Sequence, residues 1–413
     1  MRIALVHSFY GAAVPGGENE AVRDQAAALH RAGHEVLVHA AHTDALRTKP
    51  LYPLGCAVTV ATGRGRSPAR ALRAFAPDVV HIHNLFPNFG RRWVESWKGP
   101  LVTTLHNYRP MCAAATLHRD GASCTRCPDG DRWAGLRHGC YRDSRLATLP
   151  LAWAGLKGAA DDPLLRRADR VVFLSELSRD TYLATGLPPA RAELIPNFVP
   201  DVTAQPAGQQ DAWVYVGRLT PEKGILDLLR RWPGGERLDV IGNGPLDAEC
   251  RRHAPSSVRF LGPVDRDTLR PTLASYRGLV FPSQWLEGLP LVYLEALVAG
   301  LPVLVFGGSA VAASVQREGT GTVISWHTPL AAALQAASRD FPALRTHCRD
   351  VYLRQYGESL WLQRTLGLYE RLCRSTAPLP RAPQPAAHRP LAGVGNASDG
   401  AVPLSLATTS ESG

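Results

Sequence analysis

WVYVGRLTPEKG, residues 213–224, reads as a buried strand that empties into a loop carrying two cations, Arg218 and Lys223. Four apolar residues bounded by Gly217 suit a strand covered on both faces. Pro221 then favours the first turn of a helix over 221–231. Working outward, the same alternation recurs. Further strands are expected at 237–242, 258–262, 278–283, 302–307 and 322–326, with helical patterns between them. Upstream, strands are expected at 2–7, 34–40, 78–83, 100–106, 170–175 and 192–197, and a helix at 17–32. Strands that alternate with helices in this way build parallel, doubly wound sheets. The fold class is therefore α/β, with two Rossmann-like domains facing each other across a cleft.

The domain reading follows from breaks in that rhythm. Residues 1–200 form the N-terminal domain, and 110–145 interrupt it as a cysteine-containing insertion. The polar stretch 203–211 is the linker. Residues 201–349 form the C-terminal domain, and 350–377 a helix expected to cross back to the N-terminal domain. The Pro-, Ala-, Gly- and Ser-rich residues 378–413 are expected to be a disordered tail.

The 413 residues carry a net charge of +10, unevenly spread. Residues 1–200 hold 25 Lys/Arg and 17 Asp/Glu, and the rest hold 21 and 19. A basic N-terminal half suits anionic substrates or an anionic membrane surface. Arg64, Arg66, Arg70 and Arg73, with Phe75 nearby, give an expected helix over 67–76 a basic face. Nucleic acid is excluded as a partner, because no motif interleaves basic and aromatic residues. No apolar run approaches the length of a spanning helix, and the start lacks a signal-peptide layout. A cytoplasmic protein, peripheral at the inner face of the membrane, is the expectation.

Two further residues complete the chemistry of the opening stretch. EGLPLVYLEALVAG, residues 287–300, places Glu287 in a loop before a helix over 290–299 and Glu295 within that helix. Arg218 and Lys223 can hold a diphosphate by charge-assisted hydrogen bonds, while carboxylates accept from sugar hydroxyls. The amides of Gly288, Leu289 and Leu291 are available to phosphate or sugar oxygens, whereas Pro290 donates none. An acidic helix start explains Glu287 through the helix dipole but does not explain Glu295 among apolar neighbours. Gly16 and Gly17 give a small-residue loop after the first strand, where a backbone can approach a ligand closely. His106 closes the strand at 100–106 and is expected to point at the cleft.

GRLTPEKG followed by a Glu pair eight residues apart (E-x7-E) resembles the family 4 retaining glycosyltransferases of the GT-B fold, also grouped as group 1 glycosyltransferases. PGGENEAVRD (15–24), LHNYRPMC (105–112) and HGCYRDSRLA (138–147) resemble a bacterial subgroup with an HNYR motif and a four-cysteine insertion. The resemblance implies that Arg218 and Lys223 bind the donor diphosphate, Glu295 the nucleotide ribose and Glu287 the donor sugar. It implies that His106 lies near donor sugar and acceptor, and that Gly242, Gly244, Gly262 and Val264 lie on the base side. The implied activity is hexosyl transfer from a nucleotide-sugar donor to a hydroxyl of a glycan or lipid-linked acceptor, in bacterial surface polysaccharide biosynthesis. Other enzymes of the fold, a phosphorylase or a nucleotide-sugar epimerase, and a non-catalytic sugar-nucleotide binder are the alternatives. No cofactor is required for the chemistry.

Cys112, Cys124, Cys127 and Cys140 cluster within the insertion. A C-x2-C pair flanked by two more thiols suits a closed, structural zinc centre. Disulfides and free thiols are the competing readings, and a reducing compartment disfavours disulfides.

Overall fold

The computed structural model describes residues 1–11, 16–201 and 211–375. The expected linker, apart from Asp211, and the expected tail 378–413 lie outside the described residues. The strands, in chain order, are β1 Arg2–Phe9, β2 Glu35–His42, β3 Val79–Asn84, β4 Leu101–Leu105, β5 His118–Arg119, β6 Ala122–Ser123, β7 Arg170–Phe173 and β8 Ala192–Leu194. They continue as β9 Trp213–Val216, β10 Leu238–Ile241, β11 Val258–Gly262, β12 Leu279–Phe281, β13 Val303–Phe306 and β14 Gly321–Ile324.

The strands form two six-stranded sheets, with orders β2-β1-β3-β4-β7-β8 and β11-β10-β9-β12-β13-β14. The short strands β5 and β6 pair antiparallel with each other within the expected insertion. All the β1, β3, β10, β12 and β13 ladders described are parallel. Their sequences fit, since runs such as VLVF in β13 are buried at every position. In the second sheet the order reverses between β9 and β12, where Leu279 pairs with Val214. In the first it reverses between β1 and β3. Open parallel sheets take ligands at such reversals, beyond the carboxyl ends of the strands.

Two compact units are distinguished by their internal contacts. One comprises Met1–Leu105, Asp161–Val172 and the chain from Leu366; the other comprises His106–Ala160 and Phe173–Thr365. The first has a core of Val6, Leu72, Val80, Ile82, Trp93 and Leu101. The second is built around Trp213, Leu228, Val240, Phe306 and Phe341.

Three helix expectations change. The helix over 221–231 is instead a 3-10 turn, Pro221–Lys223, followed by helix Ile225–Arg231. Gly224 separates them at φ +67, and a Cβ there would lie 2.1 Å from the carbonyl oxygen of Pro282. The single helix expected over 350–377 is, in its described part, shared between two helices, Leu330–Gln355 and Glu358–Ser375. They part at Tyr356, whose hydroxyl donates to buried Glu318 at 2.6 Å, and at Gly357. The basic helix over 67–76 runs Ala69–Phe75. Its Phe75 does not join the arginine face, because it packs against the core and lies under the Arg2 guanidinium.

Helix Glu358–Ser375 contributes the buried Tyr369, whose hydroxyl lies 2.5 Å from Nδ1 of His81 in β3. The other ring nitrogen of His81 is 2.7 Å from the Thr104 hydroxyl. Cys373 of the same helix reaches the Asp78 carbonyl, and the Asp78 carboxylate accepts from the Arg2 amide at 2.8 Å.

Candidate functional site

The strand reversal of the second sheet sends two loops from neighbouring strands to one place. The loop after β9 carries Arg218, Glu222 and Lys223; the loop after β12 carries Ser283, Trp285 and Glu287. Their backbones are tied, since the Gln284 amide donates to the Glu222 carbonyl at 2.9 Å. Gly224 allows this closeness, because any side chain there would collide with Pro282.

Lys223 and Glu287 meet in this corner. Nζ donates to Oε1 at 2.5 Å, and the Ser283 hydroxyl donates to the same oxygen at 2.7 Å. Glu287 is 5% exposed, although it lies in the loop ahead of the helix. Two donors draw the carboxylate inward and compensate its lost hydration. The ammonium also lies 5.5 Å from the Trp285 ring centroid, a cation–π distance. Lys223 sits on the 3-10 turn rather than at a helix N-terminus.

Arg218 is more open. Its guanidinium donates to Glu222 at 3.2 Å, and Thr220 donates to the same carboxylate oxygen at 2.8 Å. Its carbonyl accepts from the Tyr215 hydroxyl at 2.8 Å, which fixes the backbone at the strand exit.

Glu295 lies in helix Leu291–Val298, 3% exposed. Its Oε1 stands 3.4 Å from both Arg266 and Arg270 of helix Arg266–Leu273. These two arginines and Trp285 were not singled out from sequence. The RDTLR spacing, which puts two cations one turn apart, was the available signal. No side chain caps the start of helix Leu291–Val298, and Gly288, Leu289 and Leu291 leading into it are buried. Beside Gly288 stand Leu174 and the carbonyl of His106, which follows β4.

The residues expected on the base side lie beyond β10 and at the end of β11. Gly242 has φ +137, and a Cβ there would meet the Gly217 carbonyl; Gly244 is held as tightly against Leu219. Gly262 and Val264 follow on the next strand's exit.

At the first sheet's reversal, Gly16 and Gly17 do not form a loop. Gly16 is the N-cap of helix Gly17–Arg31, which begins at Gly17, while residues 12–15 lie outside the described residues. Asn19 Oδ1 of this helix accepts from Nε2 of buried His7 at 3.0 Å, and the Asn84 amide donates to the Tyr10 hydroxyl at 2.9 Å. Burial lowers His7 to about 4 and His81 to about 3, so both rings are neutral at physiological pH.

The four clustered cysteines line one cavity together with His118 and His138. All four are free thiols, so no disulfide joins them. Burial, then the neighbouring Cys112 and Cys127 thiols, push Cys140 up to about 11; burial also raises Cys127. Among the described residues no three His, Cys, Asp or Glu side chains stand in position to hold an ion.

Comparison with known proteins matches each half separately. The profile described as Glycosyltransferase Family 4 fits residues 15–202, and that described as Glycosyl transferases group 1 fits residues 210–340. A GDP-mannose-dependent alpha-(1-6)-phosphatidylinositol monomannoside mannosyltransferase of Mycobacterium tuberculosis is 29% identical over 206 residues, 43% of this chain and 52% of the relative. The chain thus spans about half the length of that relative. A glycogen synthase of the same organism is 26% identical over 311 residues, 70% of this chain and 67% of the relative. Among solved structures, sucrose-phosphate synthase of Thermosynechococcus elongatus aligns with TM-score 0.63 at 20% identity, covering 91% of this chain and all of that one. Anabaena HepE, solved with UDP, aligns with TM-score 0.60 at 15% identity over 90% of this chain and all of that one. At these identities the likeness is one of fold, and the fold is GT-B.

Proposed function

We infer that this chain, whose two halves match glycosyltransferase profiles on a GT-B fold, moves a hexosyl group from a nucleotide-sugar donor to a hydroxyl of a glycan or lipid-linked acceptor, with retention of configuration. The observation that carries this reading is the buried Lys223–Glu287 pair at the strand reversal of the second sheet. It sets a cation for a diphosphate beside a carboxylate for a sugar hydroxyl.

In this reading Arg218 and Lys223 neutralise the donor diphosphate, so no metal is needed there. An ammonium has three donors and can serve Glu287 and a phosphate oxygen together. Both protein contacts to Glu287 fall on Oε1. Oε2 is then the oxygen that accepts from the donor sugar. Glu295, faced by Arg266 and Arg270, accepts from the ribose, while Gly242, Gly244, Gly262 and Val264 border the base. The bare amides around Gly288, Leu289 and Leu291 and the helix start face phosphate oxygens.

The acceptor oxygen bonds to the anomeric carbon on the face from which the diphosphate leaves. The bond to the diphosphate breaks, and the acceptor proton passes to a leaving phosphate oxygen. His106, beside Gly288, orients the donor sugar. No side-chain nucleophile takes part, and catalysis rests on leaving-group stabilisation and positioning.

Mannosyl transfer to a phosphatidylinositol mannoside, named for one relative, supports a lipid-linked acceptor and a role in bacterial surface polysaccharide assembly. UDP bound to one structural neighbour and GDP-mannose named for the relative support this donor class. No helix among the described residues is long and apolar enough to cross a membrane, and the reading takes the enzyme as peripheral at the inner face. A structural zinc held by Cys112, Cys124, Cys127 and Cys140 belongs to the same proposal on the strength of their C-x2-C spacing and shared cavity, and it requires the four thiols to converge further than they do in this structure.

A thermal-shift screen against UDP-, GDP-, ADP- and dTDP-sugars tests the donor. One class should raise Tm, by about 2.7 kcal/mol of stabilisation at a hundredfold excess over Kd. With that donor, nucleoside diphosphate should be released and the product's anomeric configuration should match the donor's. Binding without release would leave a sugar-nucleotide binder, and no response to any of the four would overturn the reading.

A further inference from the structure

Helix Arg145–Ala154 is apolar on two opposite faces. Thr148, Leu151 and Ala152 are buried. Leu146, Leu149 and Trp153 are 81%, 43% and 58% exposed. At about 100° per residue these three fall within one narrow stripe, directly opposite the buried arc. The helix is well anchored: Ser144 caps it through the Ala147 amide, and the Thr148 hydroxyl donates to the Ser144 carbonyl at 2.7 Å. The exposed ridge is therefore held out by a fixed helix. Trp133, beside the adjoining helix Ala134–Arg137, is exposed as well.

Cations bracket the ridge. Arg142 and Arg145 precede it and Lys157 follows it, and all three are exposed. Among the described residues none of the three is paired with a carboxylate. Arg145 instead donates to the Arg137 carbonyl, and Arg142 lies over the Tyr141 ring. Residues 106–160 hold eight Lys/Arg against four Asp/Glu. An apolar stripe with a tryptophan and uncompensated cations at both ends matches the layered chemistry of an acyl boundary beneath anionic headgroups.

We propose that the ridge Leu146, Leu149 and Trp153, with Arg142, Arg145 and Lys157 at its ends, seats this protein on the surface of an anionic lipid bilayer. The contact is interfacial rather than spanning. It does not depend on the donor reading, because no nucleotide takes part in it. The paired apolar and cationic elements select the occupant: apolar area supplies partitioning, and each cation near an anionic leaflet strengthens it about fivefold.

The test is sedimentation of the full-length chain with vesicles of phosphatidylglycerol and phosphatidylcholine, or of phosphatidylcholine alone, at low and high salt. Wild type should pellet with the anionic vesicles at low salt, and its partition should fall at high salt because exposed charges are screened. L146Q/L149Q/W153Q should lose about tenfold or more of this partition. L146Q alone, at the most exposed position, should lose part of it and retains the native fold if the triple variant does not. Replacement of Arg64, Arg66, Arg70 and Arg73 by glutamine should leave the ridge's contribution intact. Thermal shift with the responding nucleotide should be unchanged in L146Q, which separates this proposal from the donor site. Failure of wild type to pellet, equal pelleting with phosphatidylcholine alone, or undiminished binding by folded ridge variants would overturn it. So would a wild-type dimer that becomes monomeric in L146Q without any change in vesicle binding, since the ridge would then cover a second copy.

Discussion

The ammonium of Lys223 and the carboxylate of Glu287 lie 2.5 Å apart, yet 64 residues separate them in the chain. Neither charge is solvated enough to stand alone, and each holds the other where a diphosphate-linked sugar would bring its own charge. The pair is thus both a packing element and the proposed donor contact, and the two roles can be separated.

Lys223→Ala should destabilise the fold by about 3–5 kcal/mol, because it strands a buried carboxylate. Adding Glu287→Gln should recover most of that stability without restoring nucleotide binding or transfer. Arg218→Ala, at a more exposed pair, should cost less than about 1 kcal/mol of stability but about 1.5–3 kcal/mol of nucleotide affinity. Denaturant melts beside nucleotide titrations check all three. Transfer restored in the double variant would reduce Lys223 to a structural role.

Glu295→Gln should raise the donor KM by about ten- to a hundredfold, the loss of a charge-assisted contact, with a smaller effect on kcat. Glu287→Gln should instead act mainly on kcat. Arg270→Ala should mimic Glu295→Gln only in part, because Arg266 still faces the carboxylate at 3.4 Å. Initial-rate kinetics on the identified donor decide this, and equal effects on both parameters in both glutamate variants would contradict the division of roles.

Stability should fall on acidification below about pH 6.5. Burial depresses His7 to about 4 and His81 to about 3, so the unfolded chain takes up these protons first. Their contribution is complete above the unfolded value and is lost as pH falls through the window from 6.5 toward 4 and 3. Each histidine steepens the fall by up to about 1.4 kcal/mol per pH unit. Urea melts at a series of pH values measure the slope, which His7→Asn should make shallower.

Purified protein should carry about one zinc per chain, the stoichiometry of a closed four-thiolate centre. Chelation should lower Tm and release thiols to alkylation. In metal-free protein Cys140, raised to about 11, should react slowly near neutral pH. Protein purified without metal, with all four thiols open to alkylation, Cys140 slowest, and an unchanged Tm under chelator would remove zinc from the proposal.

Much of the fold was legible because parallel strands buried on both faces read as short apolar runs. Val79–Asn84, Val258–Gly262 and Val303–Phe306 stand within about a residue of their expected bounds. Helix periodicity was less informative. Gly224 was quoted within the motif, but its φ depends on the approach of Pro282, 58 residues away in sequence. LATLPLAW in helix Arg145–Ala154 is apolar all round, so sequence does not reveal which face meets solvent. The cations and carboxylates of the candidate site were visible from charge at strand exits. Arg266 and Arg270 were not, because their pairing with Glu295 depends on how two helices lie in the second unit.

The hydrogen bond between His81 and Tyr369 joins residues 288 positions apart. At cellular elongation rates, the ribosome needs roughly 15–60 s to travel that distance. For that interval the ring that ends up fully enclosed in β3 lacks its cover, and Asp78 lacks the Cys373 contact that later closes over it. The earliest strands to emerge are finished by one of the last described helices to be made. Translation order therefore gives this protein a nascent state in which the middle of its first sheet still lacks this cover.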